Sequence, residues 1–284
     1  MTDDAIATLL VTCRDRTGLV AALSDLVFRH GGNILDADQH AERDGGQFFM
    51  RLCWQGMSLD RAGVRAAVSQ LGDRFALRWE LSFADARPRV AVFVSRVPHC
   101  LYDLLLTHQL GELGGDIVAV VSNHQALASV SNHFEVPYHH LVVDAADRPS
   151  SEARQLALLD DLKVDLIVLA RYMQILSPAF VERWPHRIIN IHHSFLPAFV
   201  GARPYHQARD RGVKVIGATA HYVTSDLDQG PIIEQDVCRV SHRDDVDALV
   251  RKGRELERQV LTRAVRMHLE RRVLVHENRT IVFG

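Results

Sequence analysis

The chain has 284 residues, 47% of them hydrophobic and 24% charged, with a formal net charge of −2 at pH 7. That length suits about two domains of ordinary size, and so small a net charge gives no electrostatic footprint for DNA, RNA or an anionic membrane. No window approaches the roughly 20 apolar residues of a membrane span; the acidic start Met1-Thr2-Asp3-Asp4 lacks the regions of a secretion signal, and Cys13, Cys53, Cys100 and Cys238 form no CxxC pair, so a cytoplasmic protein with reduced thiols and no metal site is expected.

Ile6–Cys13 reads as a strand and Asp15-Arg16-Thr17-Gly18 as a turn and cap. Leu19–His30 reads as a helix, with Leu19, Ala22, Leu23, Leu26 and Val27 at helical spacing and Gly31-Gly32 as its stop. Asn33–Arg43 and Gln47–Trp54 flank Asp44-Gly45-Gly46, a hairpin turn signal. A second helix fits Leu59–Leu71. Phe75, Leu77, Trp79, Leu81 and Phe83 then alternate with polar or small residues, as in a strand with one buried face. The order βαββαβ predicts a four-stranded antiparallel sheet with two helices on one side, a ferredoxin-like domain over residues 1–84.

Asp85-Ala86-Arg87-Pro88-Arg89 breaks the pattern and reads as a linker, leaving residues 90–284 as a second domain. There, compact apolar runs (Val90–Val94, Ile117–Val121, Leu166–Ala170, Ile188–Ile191 and Ile216–Tyr222) alternate with helical stretches (Cys100–Gln109, Gln125–Phe134, Ser150–Leu162 and Ser177–Arg183). Apolar strands alternating with helices predict an open, Rossmann-like parallel sheet covered on both faces. A long helix fits Asp244–Arg272, and Val273–Val275 and Thr280–Phe283 suit a hairpin around Glu277-Asn278. The basic end of that helix, Arg266–Arg272, reads as a solvated helix terminus.

Chemistry concentrates in Asn190-Ile191-His192-His193-Ser194-Phe195-Leu196-Pro197, followed by His221 and by Leu227-Asp228-Gln229-Gly230-Pro231. Residues i and i+2 of a strand share a face, so Asn190 and His192 project together at a strand's carboxyl end, where open α/β sheets place their ligands. An amide donor, an imidazole and a carboxylate in a later loop form a kit for chemistry at a carbonyl carbon. His193 would face the other way if the strand continued and is read as structural or as a loop contact. Gly230 and Pro231 read as turn residues. Arg203-Pro204-Tyr205-His206-Gln207 reads as a helix start with Pro in its first turn, and as a candidate for the site wall.

These motifs, with Leu169–Ser177 (LARYMQILS) and His221–Gln235 (HYVTSDLDQGPIIEQ), resemble the formyltransferase fold that uses 10-formyltetrahydrofolate. The first domain, with Asp15-Arg16-Thr17-Gly18-Leu19-Val20 after its first strand, resembles an ACT domain. In this order the two resemble the formyltetrahydrofolate deformylases over nearly the whole chain. The resemblance implies Asn190, His192 and Asp228 as catalytic residues. It implies folate contacts at Met173, Gln174, Ile175 and Leu176 and at Thr224, Ser225, Asp226 and Leu227, with His221 a second histidine near the site. It also implies a small effector, an amino acid, around Asp15, Thr17, Gly18, Leu19, Asn33 and Ile34, and a homo-oligomer paired through the first domain. No cofactor is implied, the folate being the substrate, and the formate released would feed purine synthesis and balance the one-carbon pool.

Related transferases acting on glycinamide ribonucleotide have a glycine-rich phosphate loop after the first strand of this fold. Here Ser95-Arg96-Val97-Pro98-His99 has no glycine, and Pro98 lacks an N–H donor. Water is therefore the expected acceptor. The rivals are an amine-directed formyl transferase, betrayed by a rate that depends on added amine, and a non-catalytic folate or amino-acid sensor, which releases no formate.

Overall fold

The computed structural model describes residues 6–43, 46–144, 146–197 and 204–284. Asp44 and Gly45 of the anticipated hairpin turn lie outside the described residues, as do Arg203 and Met1–Asp4. The described residues form two compact units. One runs to Arg87 and takes in Arg271–Leu274 and Ile281–Gly284; the other comprises Pro88–Glu270 and Val275–Thr280.

The first unit contains β1 (Ala7–Arg14), α1 (Leu19–Arg29), β2 (Asn33–Ala41), β3 (Gln47–Gln55), α2 (Arg61–Phe75) and β4 (Arg78–Phe83). The sheet order is β2-β3-β1-β4, antiparallel throughout. Alternation along β1 sends Leu9, Val11 and Cys13 into a core with Leu19, Leu23 and Val27 of α1 and Val64 and Val68 of α2. Its opposite face carries Leu10, packed with Phe49, Leu274 and Phe283. That contact explains why the unit includes C-terminal residues that sequence patterning assigns to the second domain: burying Leu10 and Phe49 requires a cover on the second face of the sheet. Gly18, at φ 92°, is the N-cap of α1 and its carbonyl accepts from Ala22 N at 2.9 Å, so Asp15–Gly18 is a turn and cap as read. Asp60 caps α2 instead, accepting from Gly63 N at 2.7 Å.

The second unit opens with β5 (Arg89–Val94), α3 (His99–Gln109), β6 (Asp116–Ser122), α4 (Ala128–His133), β7 (Tyr138–His140), α5 (Arg148–Asp161), β8 (Leu166–Leu169), α6 (Pro178–Glu182) and β9 (Ile188–His192). It continues through α7 (Pro204–Asp210), β10 (Val215–Tyr222), β11 (Ile232–Arg239) and α8 (Val246–Leu269). The hairpin strands β12 (Val273–His276) and β13 (Arg279–Val282) close the chain. The main sheet is ordered β11-β10-β9-β8-β5-β6-β7. β5 through β9 run parallel, but β10 is antiparallel to both β9 and β11. The all-parallel expectation is thus corrected to a mixed α/β sheet. Between β10 and β11 the link is short, residues 223–231, and it reverses the chain because a parallel return needs a crossover of about a dozen residues or more. The β9–β10 link contains α7, so its length does not dictate the reversal. The chain leaves β5 toward β6 on one side and returns through β8 on the other. The carboxyl ends of β5 and β8 therefore border a topological switch point. No helix of the described residues is long and apolar enough to cross a membrane.

Candidate active site

Asn190 and His192 lie two apart on β9, and the antiparallel neighbour β10 sets His221 directly opposite Asn190. Non-adjacent residues meet through this pairing, with Asn190 Nδ2 3.3 Å from His221 Nε2. Asp228 arrives from the loop between β10 and β11. Gly230 fastens that loop, since a Cβ there would sit 1.8 Å from the Tyr222 carbonyl oxygen, an approach open only to glycine. Gly230 is thus more than a turn residue. Two positions earlier, Asp228 adopts the left-handed conformation at φ 57°, uncommon for a residue with a side chain. The β10–β11 register also shifts here. Ala220 faces Glu234 whereas His221 faces Ile232, so β11 carries one residue more than its partner.

The Asp228 carboxylate meets both imidazoles. Oδ2 is 3.3 Å from His192 Nδ1 and Oδ1 is 3.7 Å from His221 Nε2. Hydrogen bonds from His192 and then His221 hold its pKa well below the usual carboxylate range, against the opposing effect of burial. His221 Nδ1 lies 2.9 Å from the Tyr222 carbonyl, so that nitrogen carries a proton and Nε2 turns toward Asn190 and Asp228. In His192 the nitrogen facing Asp228 is engaged, while Nε2 is buried with no hydrogen-bond partner among the described residues.

These four residues line a cavity of about 630 Å³ shared with Met173, Gln174, Ile175, Leu176, Thr224, Ser225 and Leu227. Of the residues expected here, Asp226 alone is not in the lining; its carbonyl accepts from Thr224 Oγ1 at 3.1 Å and shapes the turn instead. Met173, Ile175 and Leu227 are 63%, 58% and 60% exposed, which leaves an apolar rim around a polar floor. The segment after β8 is tied down from two sides. Met173 N donates to Ser95 Oγ at 3.0 Å, across the switch point. From α5, Gln155 Nε2 donates to the Tyr172 hydroxyl at 3.0 Å, Glu152 accepts from Ser177 N at 2.8 Å and Arg148 donates to the Ile175 carbonyl. Tyr172 meets Phe93 edge-on at 5.3 Å, so its ring serves the core and the cavity wall together.

Arg171, His193 and Tyr205 also line the cavity. Of the two readings of His193, the loop contact is the one observed: β9 ends at His192, so alternation no longer applies one residue later, and the His193 ring stacks on His192 at 4.9 Å and 21°. The candidate wall position in Arg203–Gln207 is filled by Tyr205. Arg171 carried a signal only in its place at the carboxyl end of β8, and it too is left-handed, at φ 62°.

The proposed effector residues do not converge within one chain. The Asp15–Gly18 turn follows Arg14, which pairs with Gln47 at the start of β3, whereas Asn33 pairs with Gln55 at its end. At about 3.3 Å per residue these points are roughly 25 Å apart along the strand. Leu19 is buried in the core of the first unit, while Asn33 and Ile34 are exposed.

A formyl transferase family model matches residues 88–265, and an ACT domain model matches residues 7–53. The chain is 51% identical over 280 residues to the formyltetrahydrofolate deformylase of Synechocystis sp., covering 98% of both proteins. It is 50% identical over 279 residues to that of Bacillus subtilis, covering 97% of this chain and 93% of the relative. Among solved structures, a formyltetrahydrofolate deformylase from Pseudomonas syringae pv. tomato superposes with a TM-score of 0.96 at 46% identity, over 99% of this chain and 95% of that one.

Proposed function

The chain belongs to the formyltetrahydrofolate deformylase family, and from that premise we propose how its side chains divide the work. The enzyme is a hydrolase that converts 10-formyltetrahydrofolate and water to formate and tetrahydrofolate. A new C–O bond forms as water attacks the formyl carbon, the C–N10 bond breaks, and N10 must leave with a proton.

The observation that carries the assignment is His192 Nε2, which has no hydrogen-bond partner among the described residues, on the ring whose Nδ1 faces an ionised Asp228. A carboxylate with so depressed a pKa is a weak base at neutral pH, because proton transfer is most effective when the pKa lies near the working pH. Asp228 therefore orients and charge-balances His192, and His192 Nε2 takes a proton from the attacking water and delivers it to N10 as the C–N10 bond breaks. Asn190 donates from its side-chain amide to the formyl oxygen as that oxygen becomes negative. His221 sets the Asn190 amide and shares Asp228. The apolar rim of Met173, Ile175 and Leu227 suits the faces of a flat pterin, with backbone around Gln174, Leu176, Thr224 and Ser225 for its polar edge.

The test is formate release from 10-formyltetrahydrofolate by wild type and D228N. The variant is expected to lose turnover by about 10²–10⁴-fold while still binding the folate. Near-normal hydrolysis by D228N refutes the assignment, and a rate that depends on added amine points to a transferase.

An amino acid is the proposed effector of the first domain. Because Asp15–Leu19 and Asn33–Ile34 lie at opposite ends of β3, a site built from both needs a second copy of the domain. The exposed edge strand β2 supports that homo-oligomer. Cytoplasmic residence and formate supply to purine synthesis complete the proposal.

A further inference from the structure

Glu257 is a charged residue that hydrolysis, as described so far, does not use. It lies on α8, is 1% exposed, and faces donors from three other segments. Oε2 is 2.8 Å from His99 Nε2 and 3.5 Å from Arg171 Nε, and Oε1 accepts from the Tyr205 hydroxyl at 2.8 Å. Burial alone would raise its pKa, but His99 and Arg171 outweigh it and the carboxyl stays below its ordinary value. An unpaired buried charge is costly, and a paired one is kept only with several partners in good geometry.

A second feature of the same helix points to the same place. Gly253 is one turn before Glu257, so the two share a helix face. A Cβ on Gly253 would sit 1.9 Å from the Tyr205 hydroxyl oxygen and 2.4 Å from its Cζ. Glycine in a helix interior costs about 1 kcal/mol relative to alanine. Here it forms a notch in which the Tyr205 ring lies on α8 and reaches the carboxylate. Tyr205 and Arg171 are themselves lining residues of the active-site cavity. The Tyr205 ring meets His193 at 6.4 Å, and His193 stacks on His192.

We propose that Glu257, with the Gly253 notch, is a positioning residue for hydrolysis: it clamps Tyr205 and Arg171 so that the His193–His192 stack keeps His192 Nε2 aimed at the substrate. The inference rests on the reading of His192 as the proton donor. His99, Cys100 and Glu257 also present ligand atoms within 4.8 Å of one another. However, both Glu257 oxygens already serve protein donors and Arg171 supplies the positive charge, so the cluster is complete as an ion-pair network.

The experiment uses the full-length enzyme with 10-formyltetrahydrofolate, measuring kcat and KM for wild type, H192A, Y205F, E257Q, G253A, Y205A and G253A/Y205A. Y205F, E257Q and G253A are expected to lower kcat about ten- to a hundredfold, as misplacement of a reacting group does, with KM within about twofold. Combined with Y205A, G253A should add no further loss, because the added methyl then fills the space the ring has left. If E257Q does not fold, Y205F tests the same link with His99 and Arg171 still serving the carboxylate. Wild-type kcat in folded Y205F, or additive losses in the double variant, overturns the clamp. Activity lost to a chelator and restored by zinc replaces it with a metal site. Should H192A retain wild-type turnover, the proton-donor reading itself fails, a result separate from any in the clamp variants.

Discussion

The two sheets dispose of their polar side chains in opposite ways. In the first domain, β2 carries Asp36, Asp38, Gln39 and His40 along an open edge, and its Asp36–Arg51 pair includes a half-exposed carboxylate. In the second, the central strands β8 and β9 carry only Asn190 and His192 as polar residues, and these gather with His221 and Asp228 around a single carboxylate. A charge shared with solvent orients little, because water screens it. A charge enclosed between two imidazoles fixes rings and tautomers. The contrast teaches that the second sheet concentrates electrostatics while the first spreads it along a surface.

Substitutions can break that contrast at graded cost. After D228N, the largest effect is expected from N190A, which removes the proposed oxyanion donor and should lower kcat by about 10²–10³-fold with little change in KM; a loss below tenfold would remove Asn190 from that role. Next comes G230A, whose methyl meets the Tyr222 carbonyl and should destabilise the protein by about 1–3 kcal/mol in chemical denaturation.

A smaller effect is tied to pH. Burial, with Arg171 and His192 nearby, pushes His193 down to about 4 from 6.5. The unfolded chain thus binds this proton first, and the folded state loses stability as pH falls from 6.5 toward 4, levelling off below. Wild type minus H193Q unfolding free energies should show that slope, and a flat difference would deny it. The smallest change belongs to the first sheet. D36A should shift stability by no more than about 1 kcal/mol, less still in high salt.

Much of this was legible in the residues, for physical reasons that differ between elements. A β-rich run exposes β1, period-two alternation exposes β4, and unbroken apolar runs expose β5, β6, β8 and β9. β7, only Tyr138–His140, is too short to carry a period. β11, Ile232–Arg239, mixes Glu234, Gln235 and Asp236 into a partly exposed strand and so shows no apolar run. That β10 turns back on β9 is invisible because apolar content does not encode strand direction. Asn190, His192 and Asp228 were legible because the first two share a strand face. His193 was not, since its orientation depends on where β9 stops. For Glu257 the sequence held one clue, a glycine inside a long helical pattern. Glycine at such a place signals close packing but not its partner.

The extra residue in β11 has a further consequence. β10 keeps an unbroken frame with β9 but changes frame against β11 between Ala220 and His221, with Ile233 as the supernumerary position. The two edges of β10 therefore run in independent phases, and the loop that delivers Asp228 is held to both: the Val223 N–H donates to the Ile188 carbonyl at 2.9 Å and the Tyr222 N–H to the Pro231 carbonyl at 2.9 Å. Excising Ile233 should set Ile232 directly beside Glu234 and straighten β11, straining the anchorage of that loop at Pro231 while leaving Asn190 opposite His221. The place of the carboxylate thus depends on a one-residue irregularity in a strand that supplies none of the described lining residues.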